Sequence, residues 1–316
     1  MSFLSKFQPF FIIISTLIGI FLGKMMPDLE RYAAQGIEVF LVGMLFFVFL
    51  NVELKEILKS FSDARFAVSA LLLNFIVTPL FAFGLSRIFF TDQMDAQIGF
   101  IMLLVTPCTD WYLVFTGAAK GNVLLGASIL PLNLLLQIIL LPVYLLLFMG
   151  TNISFGSISI MRGLLFVLIL PLAAAYAVKF IYGKTLGALL KKADDIQCVL
   201  LCFAIVSMFA SQGSALLGNI GIFITLLPAL VLFFGIIFCL SLLLGTLLKL
   251  PFKNIIPLVF TTSARNSPVA LAIAAATFPM RPTIALVLVI GPLIELPALA
   301  IQSMLLKSML LKKSRK

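Results

Sequence analysis

The chain has 316 residues, of which 62% are hydrophobic and only 11% charged, with a formal net charge of +10 and no histidine. Soluble domains carry about a quarter charged residues, so a water-soluble fold is excluded, and the basic excess reads as loop charge beside a membrane rather than as a nucleic-acid surface. The uncharged stretches 121–161 and 196–248 each approach two bilayer crossings, since one crossing takes about 20 apolar residues.

Read in chain order, the apolar runs and their polar interruptions predict helices over 7–26, 35–52, 66–90, 96–118, 122–149, 161–182, 195–217, 220–248, 254–277 and 282–306. The first run follows Lys6 and ends in Gly-Lys-Met-Met-Pro with no small-x-small cleavage signal, so it is expected to be a retained helix rather than a signal peptide. The predicted fold class is an all-α integral membrane protein of about ten transmembrane helices.

Loop charge orients this arrangement. Of the 22 Lys and Arg residues, 16 fall on the side of the N-terminus and every second loop, 5 on the other, and Arg265 lies inside a helix. Positive charge collects on the cytoplasmic side, so both termini are expected in the cytoplasm, with the chain in the plasma membrane and lipid around it. The asymmetry also argues for an even number of crossings.

Two interior prolines suggest a repeat. Pro107 is followed by Lys120 after 13 residues and Pro131 after 24; Pro268 is followed by Arg281 and Pro292 at the same offsets. This spacing predicts one transmembrane domain over 1–316, built from inverted repeats of about 1–155 and 156–316 with interrupted fourth and ninth helices. Transporters of that design bind substrate near the midplane, where broken helices expose backbone groups.

Three polar groups stand within spans. Val-Thr-Pro-Cys-Thr-Asp-Trp at 105–111 puts Thr106, Cys108, Thr109 and Asp110 around the helix-breaking Pro107. Thr-Thr-Ser-Ala-Arg-Asn-Ser-Pro at 261–268 puts Arg265, Asn266 and Ser267 before Pro268. Gly-Pro-Leu-Ile-Glu-Leu-Pro at 291–297 places Glu295 between two prolines. A proline frees a carbonyl one turn back, and in lipid that group needs a partner. Intramembrane charges mark ion or substrate paths unless they pair structurally. Arg265 cannot practically lose its proton, so Asp110, Glu295 or an anionic substrate is its expected partner. Asn74, Asn133 and Gln137 read as helix–helix glue. Cys198 and Cys202 share a helix face but read as packing residues, with no disulfide framework or zinc site. With no histidine, any proton relay must use carboxylates. The chain shows no phosphate-binding loop, so an ATP-driven pump is not expected; without histidine, neither is a membrane enzyme with a His or His/Glu metal site, and no enzyme activity, cofactor or metal is expected.

Pro-Cys-Thr at 107–109, Lys-Gly-Asn at 120–122, Phe-Thr followed by Asn and Ala-x-Ala over 260–272, and the Gly-Pro-Leu-Ile-Glu-Leu-Pro segment resemble the Acr3 family of arsenite efflux carriers and, more distantly, the bile acid:sodium symporters. The resemblance implies ten helices in a five-plus-five inverted repeat, with the fourth and ninth discontinuous. It also implies that Cys108 contacts thiophilic trivalent arsenic and that the helix-ten Glu maps to Glu295. A single thiol suits reversible contact with a soft metalloid. There are departures: Arg265 stands where an Asn is usual, Pro268 where a Glu is usual, and Asp110 where an uncharged residue is expected. Thr261 and Arg265 occupy the positions of the sodium-binding Glu and Gln of the symporters, so that sodium site is expected to be absent.

The primary expectation is therefore a secondary carrier exporting arsenite or a related metalloid on the proton gradient by alternating access. Its substrate-binding candidates are Cys108, Thr109, Asn266 and Ser267; Asp110, Arg265 and Glu295 serve coupling or charge pairing, and Pro107 and Pro268 break the helices. The rival is uptake of a small organic anion gripped by Arg265, and a third class is a membrane receptor that binds without transport.

Overall fold

The computed structural model describes residues 8–26, 29–51, 63–108, 111–149, 157–182, 186–217, 220–278 and 281–314. Among these residues every regular element is helical, apart from one isolated β-bridge. The helices are α1 (Gln8–Met25), α2 (Leu29–Asn51), α3 (Ala64–Leu72), α4 (Thr78–Phe89), α5 (Met94–Leu104), α6 (Trp111–Ala118), α7 (Val123–Ser128), α8 (Leu130–Met149), α9 (Ser157–Tyr182), α10 (Gly187–Leu217), α11 (Ile220–Leu247), α12 (Phe252–Ser263), α13 (Ser267–Thr277) and α14 (Pro282–Ser314). A π-helical turn, Leu73–Val77, joins α3 to α4. Four helical stretches among the described residues are long and apolar enough to cross a bilayer: Ala64–Phe89, Val123–Phe148, Gly221–Leu247 and Thr283–Lys312.

Most predicted spans match these elements within a few residues; the one expected over 35–52 begins at Leu29, and two others are extended further. The span expected over 195–217 begins at Gly187, and the one expected over 282–306 runs to Ser314. Both additions are charged: Lys191, Lys192 and Asp194 in one, Lys307, Lys312 and Lys313 in the other. Charge ends an apolar run but not a helix, because straight-chain charged residues are good helix formers once the chain leaves lipid.

The chain folds as two compact units. One comprises Met1–Val52, Ile153–Ile220 and Pro268–Leu286; the other comprises Glu53–Asn152, Gly221–Ser267 and Val287–Lys316. In the first, α10 packs along both α1 and α2. Small residues let the backbones approach: an added Cβ on Gly19 would sit 2.7 Å from Val206 O, and one on Gly23 would sit 2.6 Å from Ala210 O. Partner numbers rise together, so α1 and α10 run parallel. Gly36 approaches Ser207 and Gly43 approaches Leu200, so α2 runs antiparallel to α10. This is small-residue packing of the kind that replaces the hydrophobic effect in membranes.

In the second unit, prolines govern the architecture. Each helical proline frees the carbonyl four residues back, and two of these carbonyls find a specific donor. Pro79 frees Phe75 O, which accepts the Tyr144 hydroxyl at 2.6 Å. The π turn lies directly before this proline, where Thr78 N–H donates to Leu73 O. Pro257 frees Lys253 O, which accepts Asn122 N–H at 2.9 Å. Where α5 ends, Leu103 O accepts the Thr106 hydroxyl at 3.1 Å. In apolar surroundings an unfilled carbonyl is costly, so these contacts fix where the neighbouring elements lie.

A polar node holds one end of this unit. Asp63 caps α3 through Phe66 N–H and Asn122 caps α7 through Leu125 N–H. Asn254 joins the two, accepting from Asn122 at 3.1 Å and donating to Asp63 at 3.4 Å. Beside it, Lys120 adopts a positive φ of 61°. At Gly121 a Cβ would meet the Ile256 side chain at 2.5 Å, so the Lys-Gly-Asn stretch is shaped by close approach as well as by capping.

Candidate functional site

The site is built where two helices stop. Helix α5 ends at Leu104, with Val105 still helical in conformation, and α12 ends at Ser263, with Ala264 extended. The two stretches that follow meet as a minimal antiparallel ladder. Cys108 N–H donates to Ala264 O at 3.0 Å and Asn266 N–H donates to Thr106 O at 2.7 Å, flanking the bridge pair Pro107 and Arg265. In a pair so flanked, the central residues point their own N–H groups away from the partner strand. A proline therefore fits at 107 without loss. The outward N–H of Arg265 is taken by Glu295 Oε1 at 2.8 Å.

The guanidinium of Arg265 has carbonyl partners. Its Nε donates to Ser263 O at 3.1 Å, its Nη1 to Leu104 O at 2.6 Å and its Nη2 to Thr262 O. These are the last carbonyls of α12 and α5. Two helix C-termini, each carrying about half a negative charge, thus converge on one cation. The group also stands over the Phe233 ring, 5.4 Å from its centroid, a cation–π arrangement. Arg265 is 2% exposed and Glu295 4%, so a positive and a negative side chain are buried in one unit.

The sequence expected Arg265 to find an anionic partner in Asp110, Glu295 or a substrate. Glu295 does lie beside it, but accepts from its peptide N–H, and the side chain caps two helices. Arginine suits this task because its five donors sit in a fixed fork. Cys108, Asn266 and Ser267 are buried at the crossing. Thr109 and Asp110, and with them the expected pairing of Asp110 with Arg265, lie outside the described residues. Pro268 differs from its predicted role: it is the second residue of α13 and helps to start that helix, where a missing N–H needs no partner. The break itself lies at 264–266.

Further polar side chains surround the crossing within this unit. Asn133 donates to the Thr261 hydroxyl at 2.9 Å, and Ser241 and Thr262 share a hydrogen bond of 2.6 Å. Asn133 is therefore the interhelical link the sequence suggested. The side chains of Asn74 and Gln137 are fully buried without a protein hydrogen-bond partner, as are Thr78 Oγ1, Asn133 Oδ1 and Ser263 Oγ. Leu104 and Phe233 gave no signal in the sequence, because a backbone carbonyl and one Phe among 31 carry none. Among the described residues, no group of three or more Cys, Asp or Glu side chains is placed to hold a metal ion.

Comparison with known proteins bears on this geometry. The Sodium Bile acid symporter family profile matches residues 38–219, more than half of the chain. The chain belongs to the Sodium Bile acid symporter family. As a member it is a multi-pass membrane transporter. Curated relatives resemble nearly its whole length. The Arsenical-resistance protein Acr3 of Corynebacterium glutamicum is 26% identical, over 94% of this chain and 87% of the relative. An uncharacterized transporter of Synechocystis is 25% identical, over 93% and 86%. The uncharacterized protein YbaS of Bacillus subtilis is 23% identical, over 89% and 90%.

Proposed function

We propose that this member of the family exports arsenite, or a closely related trivalent metalloid, on the proton gradient. The observation that carries the reading is the placement of Cys108: a buried thiol on the unwound stretch, its backbone held to Ala264 O at 3.0 Å. A thiol there offers a soft ligand at a helix break, and the resemblance to an arsenical-resistance protein points to the matching soft substrate. Arsenite is a neutral trihydroxide near neutral pH, so the buried amides and hydroxyls around the crossing suit its hydrogen-bonding needs.

Arg265 also supports this reading over organic-anion uptake. Its Nε, Nη1 and Nη2 atoms each donate to a backbone carbonyl, which leaves the guanidinium poorly placed to grip a carboxylate. The same tethered cation at two helix ends opposes sodium binding, in keeping with proton coupling. Glu295 is the candidate proton carrier beside it. The assignments of Thr109, Asp110, Asn266 and Ser267 to substrate or coupling belong to this proposal as well.

The ten-helix, five-plus-five architecture with cytoplasmic termini is part of the reading. It is supported by the charge asymmetry of 16 to 5 among Lys and Arg. The composition of the two units also supports it: one takes 1–52 and 153–220, the other 53–152 and 221–267, so each draws comparable stretches from both halves.

The test is arsenite survival and retained arsenic in cells lacking their own exporter. Expression of the chain is expected to restore survival and lower cellular arsenic, and Cys108→Ser to abolish both effects. Uptake of an organic anion that is lost in Arg265→Ala, without arsenite protection, would replace this reading with the rival.

A further inference from the structure

The first compact unit contains a feature that the proposed transport does not use. Cys198 and Cys202 lie four residues apart on α10, a spacing that stacks side chains one turn apart on one helix face. Their thiols interact with one another, and Ser15 of α1 stands beside Cys202. Ser15 heads the small-residue seam Ser15, Gly19 and Gly23, whose glycines meet Val206, Phe209 and Ala210. Cys198 is 2% exposed and Cys202 half-buried, so the pair has one open edge. The flanking Val199 and Phe203 are 40% and 52% exposed, and the Phe203 ring stacks on Phe40 at 5.4 Å.

We propose that Cys198 and Cys202 form a dithiol site for trivalent arsenicals carrying one carbon substituent. Valence selects this class. Such a compound, R–As(OH)2, presents two exchangeable hydroxyls, and the pair presents two sulfurs. Two As–S bonds form and two As–O bonds break; each thiol proton leaves with a hydroxide as water, and arsenic stays trivalent. The carbon substituent occupies the third position and finds apolar cover from Val199 and Phe203. Asp195, one turn before Cys198, has a buried carboxylate oxygen without a hydrogen-bond partner and feels the Cys198 thiol electrostatically. No third Cys, Asp or Glu completes a three-ligand metal cluster among the described residues, which favours a two-bond ligand over a divalent metal. The other two cysteines, Cys108 and Cys239, belong to the second unit.

This inference goes beyond arsenite export and stands independently of it, because it concerns binding rather than flux. The purified full-length chain is treated with one equivalent of phenylarsine oxide, then with excess monothiol, and its intact mass is measured. Rings closed on two thiols resist monothiols and open to a dithiol such as dimercaptopropanol. Wild type, Cys108→Ser and Cys239→Ser should each keep one phenylarsenic adduct that the dithiol removes. Cys198→Ser and Cys202→Ser should each lose it to the monothiol. In folded wild type, prior adduct formation should also block maleimide labelling of Cys202, a reading that needs no variant. An adduct that persists in the Cys198→Ser/Cys202→Ser double variant, one that is lost only in Cys108→Ser, or no adduct in wild type, would overturn the proposal.

Discussion

Pro107 and Arg265 face each other across the two helix breaks as the central pair of a two-bond ladder. The residue without an N–H sits where none is needed, and the opposite N–H turns to Glu295. The ladder's donors are Cys108 and Asn266, so proline should be tolerated unequally along the segment. Pro107→Ala is expected to cost only about 0.4–1 kcal/mol, the entropy returned to the unfolded chain. Cys108→Pro or Asn266→Pro should cost at least about 1–3 kcal/mol from the orphaned carbonyl alone. Thermal unfolding of the purified variants in detergent measures the order; equal losses at all three positions would contradict the ladder.

Arg265 holds two helix ends through three carbonyls. Arg265→Ala leaves all three buried without donors, and each such group costs about 1–3 kcal/mol. It should also leave the buried Glu295 without its balancing charge. The expected result is a large fall in melting temperature and in yield. Arg265→Lys keeps the charge and three donors on a flexible stem, so it should recover part of the loss but not all. A lysine variant as unstable as the alanine one would show that charge contributes little at this position.

Much of this was legible beforehand, and the limits have physical causes. Pro107 lies within the stretch that follows the end of α5 at Leu104, because a proline's effect is local. The second break was assigned to Pro268 but lies at 264–266, since Pro268 begins α13 and the interruption depends on pairing with a segment about 160 positions earlier. The charge of Arg265 marked the site, yet its ligands are backbone atoms of α5 and α12, and no sequence pattern encodes a carbonyl. Asn74 and Gln137 read as glue because amides usually are; the fold leaves both without a protein partner.

Tyr144 and Pro79 offer a test of coupling at a distance from the break. The tyrosine hydroxyl fills the Phe75 carbonyl that the proline frees, at 2.6 Å. Tyr144→Phe should lower stability by about 1–3 kcal/mol, the cost of an unfilled buried acceptor. Pro79→Ala restores a backbone N–H within the helix and gives that carbonyl a second source of donor. In the double variant, therefore, the tyrosine's loss should matter less, with an interaction energy of about 0.5 kcal/mol or more. Melting temperatures of the four proteins close the cycle; strict additivity would mean that the hydroxyl and the proline act separately.

Glu295 is asked to do two things, and a single substitution separates them. As a structural acceptor it needs only an oxygen for the Arg265 N–H, 2.8 Å away. As a proton carrier it needs a group that can ionise. Glu295→Gln keeps the oxygen and removes the titration, whereas Glu295→Ala removes both. The glutamine variant should stay folded, within about 1 kcal/mol of wild type if its amide adopts the same geometry, but an imposed pH gradient should no longer drive arsenite movement across everted vesicles. Downhill movement along an arsenite gradient should survive in that variant, because substrate contact is assigned to Cys108 and not to Glu295. The alanine variant should lose stability as well as coupling. Gradient-driven transport that persists in Glu295→Gln would move the coupling proton elsewhere, with Asp110, the other carboxylate that the sequence suggests for coupling, as the next candidate.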